Sequence, residues 1–231
     1  MTRRTAIGTI GGALAAMTVD AQTKRQYYEI RRYQLRNGVT NAMPTSKPAG
    51  LEGTFGAFNP VVGEGSPFLT MLFTYSSFAE AEKIDEKLGP YKGFIRYERT
   101  ILRAFEAMPE LNLPPKREGG GHIFELRTYE SNDVASLAKK IEMFNKGEMQ
   151  IFQRLGMNPV FFGEAIVGNS LPHLTYMLAY DDLAARDRVW KAFGSDPEWL
   201  KLRATPGLSD ADIVSNISNT ILRPTAFSDI R

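Results

Sequence analysis

The 231-residue sequence predicts an α+β fold of two tandem β-α-β-β-α-β units. Three observations carry this reading. The segment Glu29–Tyr33, EIRRY, returns as Glu125–Tyr129, ELRTY. VVGEGSPFLTMLFTYSSF at 61–78 aligns without a gap with IVGNSLPHLTYMLAYDDL at 166–183, matching Gly63 to Gly168, Pro67 to Pro172, Thr70 to Thr175 and Tyr75 to Tyr180. Thr100-Ile101-Leu102-Arg103 recurs as Thr220-Ile221-Leu222-Arg223. Three collinear matches at offsets of 96, 105 and 120 mark a duplicated unit whose second copy carries insertions.

Each unit can be read element by element. YYEIRRYQL is aromatic and branched with polar alternation, which predicts a strand. In the second copy, Ser131-Asn132-Asp133 is a helix start. Val134, Leu137, Ile141 and Phe144 then follow at helical spacing, Met149, Phe152 and Leu155 continue the stripe, and Gly156 ends it. MNPVFFGEAIVG and HLTYMLAY read as strands, DDLAARDRVWKAF as a helix and DADIVSNISNTILR as a fourth strand. That order is the ferredoxin-like unit. One such unit leaves a sheet face uncovered, so two in one chain should pack sheet to sheet and close as an α/β barrel.

The predicted divisions are repeat 1 at 26–108, a Pro- and Gly-rich linker at 109–121, and repeat 2 at 122–231. Repeat 1 departs from the pattern. Between Tyr33 and Phe58, Gly38, Pro44, Pro48, Gly50 and Gly53 forbid a long amphipathic helix. It lacks most of its first helix, and its sheet is expected to be covered by a partner chain rather than by a thin loop, because an exposed apolar face is a liability.

Residues 1–21 read as a leader. Arg3-Arg4 opens it, a Gly-broken apolar stretch follows, and Val19-Asp20-Ala21 meets the small-residue rule for cleavage. The arginine pair resembles a twin-arginine (Tat) signal, although Ala6 stands where Phe is usual. The stretch falls short of the roughly 20 strongly apolar residues of a membrane-spanning helix. A periplasmic or secreted protein is expected.

Composition narrows the chemistry. A net charge of +2 does not suggest nucleic acid as a partner. The chain has no cysteine, which excludes disulfides, thiolate metal sites and cysteine nucleophiles. Two histidines, His122 and His173, exclude a three-histidine metal site. No nucleophile elbow or phosphate loop is present. His173, at a strand start after Pro172, is the better of two weak metal or haem ligands. His122 follows three glycines and reads as part of a flexible linker.

The repeated E-x-R-x-Y is the sharpest constellation. Period-2 alternation puts Glu29, Arg31 and Tyr33 on one strand face, and Glu125, Arg127 and Tyr129 likewise. The expectation is a polar patch lining the barrel, with Arg103 and Arg223 as ion-pair partners of Glu29 and Glu125. The residues expected to touch a ligand are Arg31, Tyr33, Arg127, Tyr129, Tyr176 and Tyr180. The competing reading is structural: buried ion pairs, with Tyr75, Tyr176 and Tyr180 in the core.

FELRTY, KGEMQIFQRLGM at 146–157, the strand pair from Gly168 to Tyr180 and the WKAF…DPEW segment at 190–199 together resemble the NIPSNAP family of the dimeric α/β-barrel superfamily. The resemblance spans the second half and is degenerate in the first. It implies the tandem barrel but no known reaction. The reading reached is an exported, non-catalytic binding module for a small apolar or anionic ligand or a protein, without cofactor and forming homo-oligomers. The alternative is a cofactor-independent or haem-dependent oxygenase-like enzyme, on fold analogy alone.

Overall fold

The computed structural model describes residues 24–38, 44–88, 91–115, 117 and 121–231. The leader expected at 1–21 lies outside the described residues. Eight strands are present: β1 (Tyr27–Leu35), β2 (Phe55–Val62), β3 (Phe68–Tyr75), β4 (Phe94–Ala104), β5 (Ile123–Glu130), β6 (Asn158–Val167), β7 (His173–Tyr180) and β8 (Asn216–Pro224). They form one closed antiparallel barrel in the order β1-β3-β2-β8-β5-β7-β6-β4. Each unit keeps its own ferredoxin-like order, and the two sheets join edge to edge at β2–β8 and β6–β4.

The lumen is apolar. Tyr28, Phe58, Leu72, Leu102, Phe124, Phe161, Met177 and Leu222 bring one residue from each strand into a single buried cluster. Tyr28 lies on Phe161 with ring centroids 4.9 Å apart. Fully burying a large apolar side chain is worth roughly 1.5–3 kcal/mol, so this cluster helps to bind the two sheets to each other.

The repeated glycines and threonines meet at the two seams. A Cβ on Gly63 would lie 3.0 Å from Thr220 Cγ2, and one on Gly168 would lie 3.0 Å from Thr100 Oγ1. Each copy's glycine thus abuts the other copy's TILR strand. One end of the barrel is closed by the chain that follows each fourth strand. Phe105 and Asn112 donate backbone bonds to Phe162 and Val160 of β6 at 3.1 and 2.9 Å. Thr225 and Asp229 do the same to Ala57 and Phe55 of β2, both at 2.8 Å. These two straps carry Leu111 and Ile230 into the lumen cluster.

The helices lie outside the barrel. Among the described residues of repeat 1, α1 (Ala81–Lys87) is the α-helix, entered through a 3-10 turn at Phe78–Glu80, and residues 44–54 form none. In repeat 2, α2 (Val134–Met143) runs through a π-turn (Phe144–Glu148) into α3 (Met149–Arg154), and α4 (Leu183–Gly194), α5 (Pro197–Arg203) and α6 (Asp210–Ile213) follow. Asp133, Asp182 and Asp196 cap α2, α4 and α5, accepting backbone N–H groups of Ser136, Ala185 and Trp199. Gly156 closes the helix at φ +80°, as its position after the stripe predicts. Val134 corrects the stripe: it is exposed, and the buried face runs instead through Leu137, Lys140, Phe144 and Glu148. The expected fourth strand over 210–223 is shorter, because α6 takes its first residues.

The outer face of repeat 1 is not left for a partner chain. Phe55, Ala57, Leu69, Met71 and Phe73 are buried there, with Leu51, Leu88, Tyr91 and Phe227 packed against them. Lys47 Nζ donates to Asp229 Oδ2 at 2.7 Å and ties the covering loop to the C-terminal strap.

Candidate functional site

The alternation of β1 and β5 places both E-x-R-x-Y triads outside the barrel, under the helices. This corrects the expectation that they line the lumen. Tyr28, Ile30, Phe124 and Leu126 take the inner face, because the closed barrel needs apolar residues on its inner side and the charged residues need donors that helices and loops supply.

In repeat 2, Glu125 is fully buried and accepts from four side chains. Arg127 and Arg186 donate at 3.0 and 2.6 Å, Trp190 Nε1 at 2.7 Å and the Tyr180 hydroxyl at 3.2 Å. Burial pushes the carboxyl up, but the Arg186 bond and the Arg127 charge outweigh it and hold Glu125 below its ordinary value. Arg127 also donates to the Tyr129 hydroxyl at 3.1 Å and lies over the Trp190 ring at 4.5 Å. The Tyr176 hydroxyl donates to that of Tyr129 at 2.9 Å. Burial raises both phenols, so they stay protonated.

Beside these tyrosines sits a buried lysine. Lys140 Nζ donates to Glu148 Oε2 at 3.0 Å and to Asp210 Oδ1 at 3.2 Å. Its ammonium lies 5.1–5.4 Å from the rings of Phe144, Trp199 and Tyr129. Burial alone would lower its pKa, but Glu148 and Asp210 raise it, and it remains charged. Lys140 and Glu148 are almost fully buried, whereas the Asp210 side chain is 47% exposed. Asp210 is the outer member of the cluster. Glu148 belongs to the π-turn, a local irregularity that often accompanies functional positions.

Repeat 1 builds a smaller version. Glu29 is fully buried and accepts from Arg31, from Arg99 at 2.9 Å and from the Tyr75 hydroxyl at 3.0 Å. Asp85 of α1 bridges Arg31 and Arg99 at 2.6 and 3.2 Å. The Tyr33 ring packs among Tyr91, Phe94 and Tyr97.

Of the residues expected to touch a ligand, Arg127, Tyr129 and Tyr176 come together with Lys140. Tyr180 is committed to Glu125, and Arg31 and Tyr33 belong to the repeat 1 cluster. Arg103 and Arg223 are not the partners of Glu29 and Glu125. The register sets Glu29 against Ile101 and Arg103 against Glu164, to which Arg103 bonds at 2.8 Å. Arg223 is exposed and faces Asn59. His173 is buried with Nδ1 3.2 Å from the Ser170 carbonyl, and burial lowers its pKa, so the ring is neutral. Among the described residues no group of three His, Asp or Glu side chains is arranged to hold a metal. His122 is also buried, against the Arg231 carbonyl at 3.2 Å, rather than part of a loose linker.

Sequence reading missed Lys140, Glu148, Asp210, Arg186, Trp190, Arg99 and Asp85. One signal was available. Lys140 lies three residues after Leu137 and four before Phe144, a lysine on an otherwise apolar stripe.

Architecture and site together define a single-chain, two-unit ferredoxin-like barrel with its charge clusters on the helix side. Residues 124–229, most of the second unit, match the family model described as NIPSNAP. A NIPSNAP family protein of unknown function from Agrobacterium tumefaciens is 19% identical over 51% of this chain and 100% of its own, with a TM-score of 0.44. A candidate monooxygenase from Fusobacterium nucleatum is 9% identical and covers 88% of this chain and 94% of its own, at a TM-score of 0.57. An anthrone oxidase-like protein is 8% identical with coverage of 88% and 92%, also at 0.57. At such identities the last two share the fold. No curated protein sequence matches the chain.

Proposed function

We propose that this chain is an exported binding barrel that holds a small anionic ligand on the helix side of its second unit without turning it over. The carrying observation is Lys140. It is a buried ammonium whose one surface-reaching partner is Asp210. A ligand carboxylate taking the place of Asp210 would meet that charge among the rings of Tyr129, Phe144 and Trp199, with Arg127 behind them. The other side chains argue for holding rather than reacting. Glu125 and Glu29 are each engaged by several donors, so neither is a free general base, and the tyrosines stay protonated.

The oxygenase-like alternative has the fold likeness behind it. Against it, Phe144, Phe152, Phe162 and Tyr176 pack tightly between the helices and the sheet of the second unit, with ring centroids 4.9–6.3 Å apart. The test is native mass spectrometry with an absorption spectrum on residues 22–231 isolated from their own envelope. A colourless protein with a bound mass that Lys140→Met loses and Asp210→Asn keeps supports the reading. A chromophore band points to the oxygenase, and a mass unaffected by Lys140→Met places the ligand elsewhere. For export, Arg3→Lys with Arg4→Lys should leave uncleaved precursor in the cytoplasm. Normal processing of that variant would point to the general secretory route.

A further inference from the structure

We propose that the chain forms a two-fold homodimer in which the free edge of β4, residues 94–99, pairs antiparallel with the same edge of a second copy. The barrel closes along only part of β4. On one side β4 pairs with β1 from Phe94 to Arg103. On the other it meets β6 only from Ile101 onward. Among the described residues no strand lies beside Phe94–Arg99 on that side, so a row of backbone donors and acceptors faces out. Ile95 is 63% exposed and Tyr97 47% exposed along it.

Such an edge is usually blunted by proline, charged side chains or a bulge. The β1–β4 register slips at Ile95, between the Gln34–Arg96 and Leu35–Phe94 pairs, and the ladder runs regularly from Arg96 onward. The edge carries Arg96 and Glu98, of opposite sign and two residues apart on one face. An antiparallel pair with its two-fold axis at Tyr97 sets residue 97 against itself and residue 96 against residue 98 of the partner subunit. Both ends then place Arg96 opposite Glu98, two favourable cross-strand pairs. An axis at residue 96 would set Arg96 against Arg96, and one at residue 98 would set Glu98 against Glu98. The charges therefore choose one register.

Within the chain, Arg96 and Glu98 approach only to 3.6 Å and both are well exposed, so little is lost when they exchange partners. The Tyr97 ring is already held, stacked on Tyr33 at 5.2 Å, which lowers the entropy lost on pairing. The equivalent stretch of β8, Asn216–Asn219, also lies beyond the β2 pairing and exposes Ile217. It bears no charge and selects no register, which is why β4 is assigned.

Sedimentation velocity on residues 22–231 tests this, with circular dichroism as the folding control. Wild type should be a dimer at micromolar concentration. Arg96→Glu and Glu98→Arg should each raise the dimer dissociation constant at least about tenfold, since each sets like charges across the axis. An equal mixture of the two should associate again, and the double variant should dimerise as wild type does. A monomeric wild type, or folded single variants that stay dimeric, would overturn the proposal. Dissociation by Ile217→Lys with Arg96→Glu silent would move the interface to β8.

Discussion

The two units answer one physical problem with different residues. Each buries a glutamate on the outer face of its first strand, and an unpaired buried charge costs several kcal/mol. Repeat 2 supplies the second guanidinium from a helix, Arg186 of α4. At the 105-residue offset Arg186 corresponds to Ala81, and Trp190 to Asp85. Repeat 1 instead draws Arg99 from β4, whose counterpart at the 120-residue offset is Asn219. The arginine passes over Ala81 and donates to its carbonyl at 3.0 Å. Duplication kept the carboxylate and its need for donors, and left open which element provides them. Repeat 2 adds a helix with a buried lysine, whereas the described residues 44–54 of repeat 1 form no helix and pack Leu51 against the sheet.

The largest effect that would break this comparison comes from Lys140. Lys140→Met strands Glu148 in the core and should cost about 3–5 kcal/mol in denaturant unfolding. Lys140→Met with Glu148→Leu should regain most of that loss.

Next come the lumen plugs. Ile230→Ala should cost about 2–4 kcal/mol, and Leu111→Ala less, because Leu111 is only partly buried. Equal losses would mean that the two straps seal the barrel alike.

The donors sharpen the contrast further. Arg99→Asn gives repeat 1 the residue of repeat 2 and should cost about 1.5–3 kcal/mol. Adding Ala81→Arg should recover part of it if a helix-borne arginine can serve there.

A smaller effect separates the seam glycines. Gly168→Ala should lose more than Gly63→Ala, by about 1 kcal/mol, since Gly168 combines φ +154° with the contact to Thr100.

The smallest is a pH effect. Glu125 is held below its ordinary carboxylate value, so its contribution is present above about pH 4.3 and fades as pH falls through the lowered folded value. Glu125→Gln should flatten that part of the acid limb of unfolding.

Much of this was legible in the residues. Periodicity and repetition give β1, β5 and β7, the capped helix at Asp133, the missing helix of repeat 1 and the barrel itself, because these rest on local pattern and on covering an apolar face. The same alternation separates the Glu29 and Tyr28 faces of β1. It cannot say which face looks inward, and that is why the triads were expected in the lumen. Closure of eight strands decides it, since a small barrel must fill its inner side with apolar bulk. Tertiary structure also decided that Arg103 meets Glu164, that Arg99 replaces Arg186, and that the ends after Ala104 and Pro224 return as straps. Each depends on strand register or on groups far apart in the chain. Local sequence sets which residues share a face, and only the folded barrel sets what those faces meet.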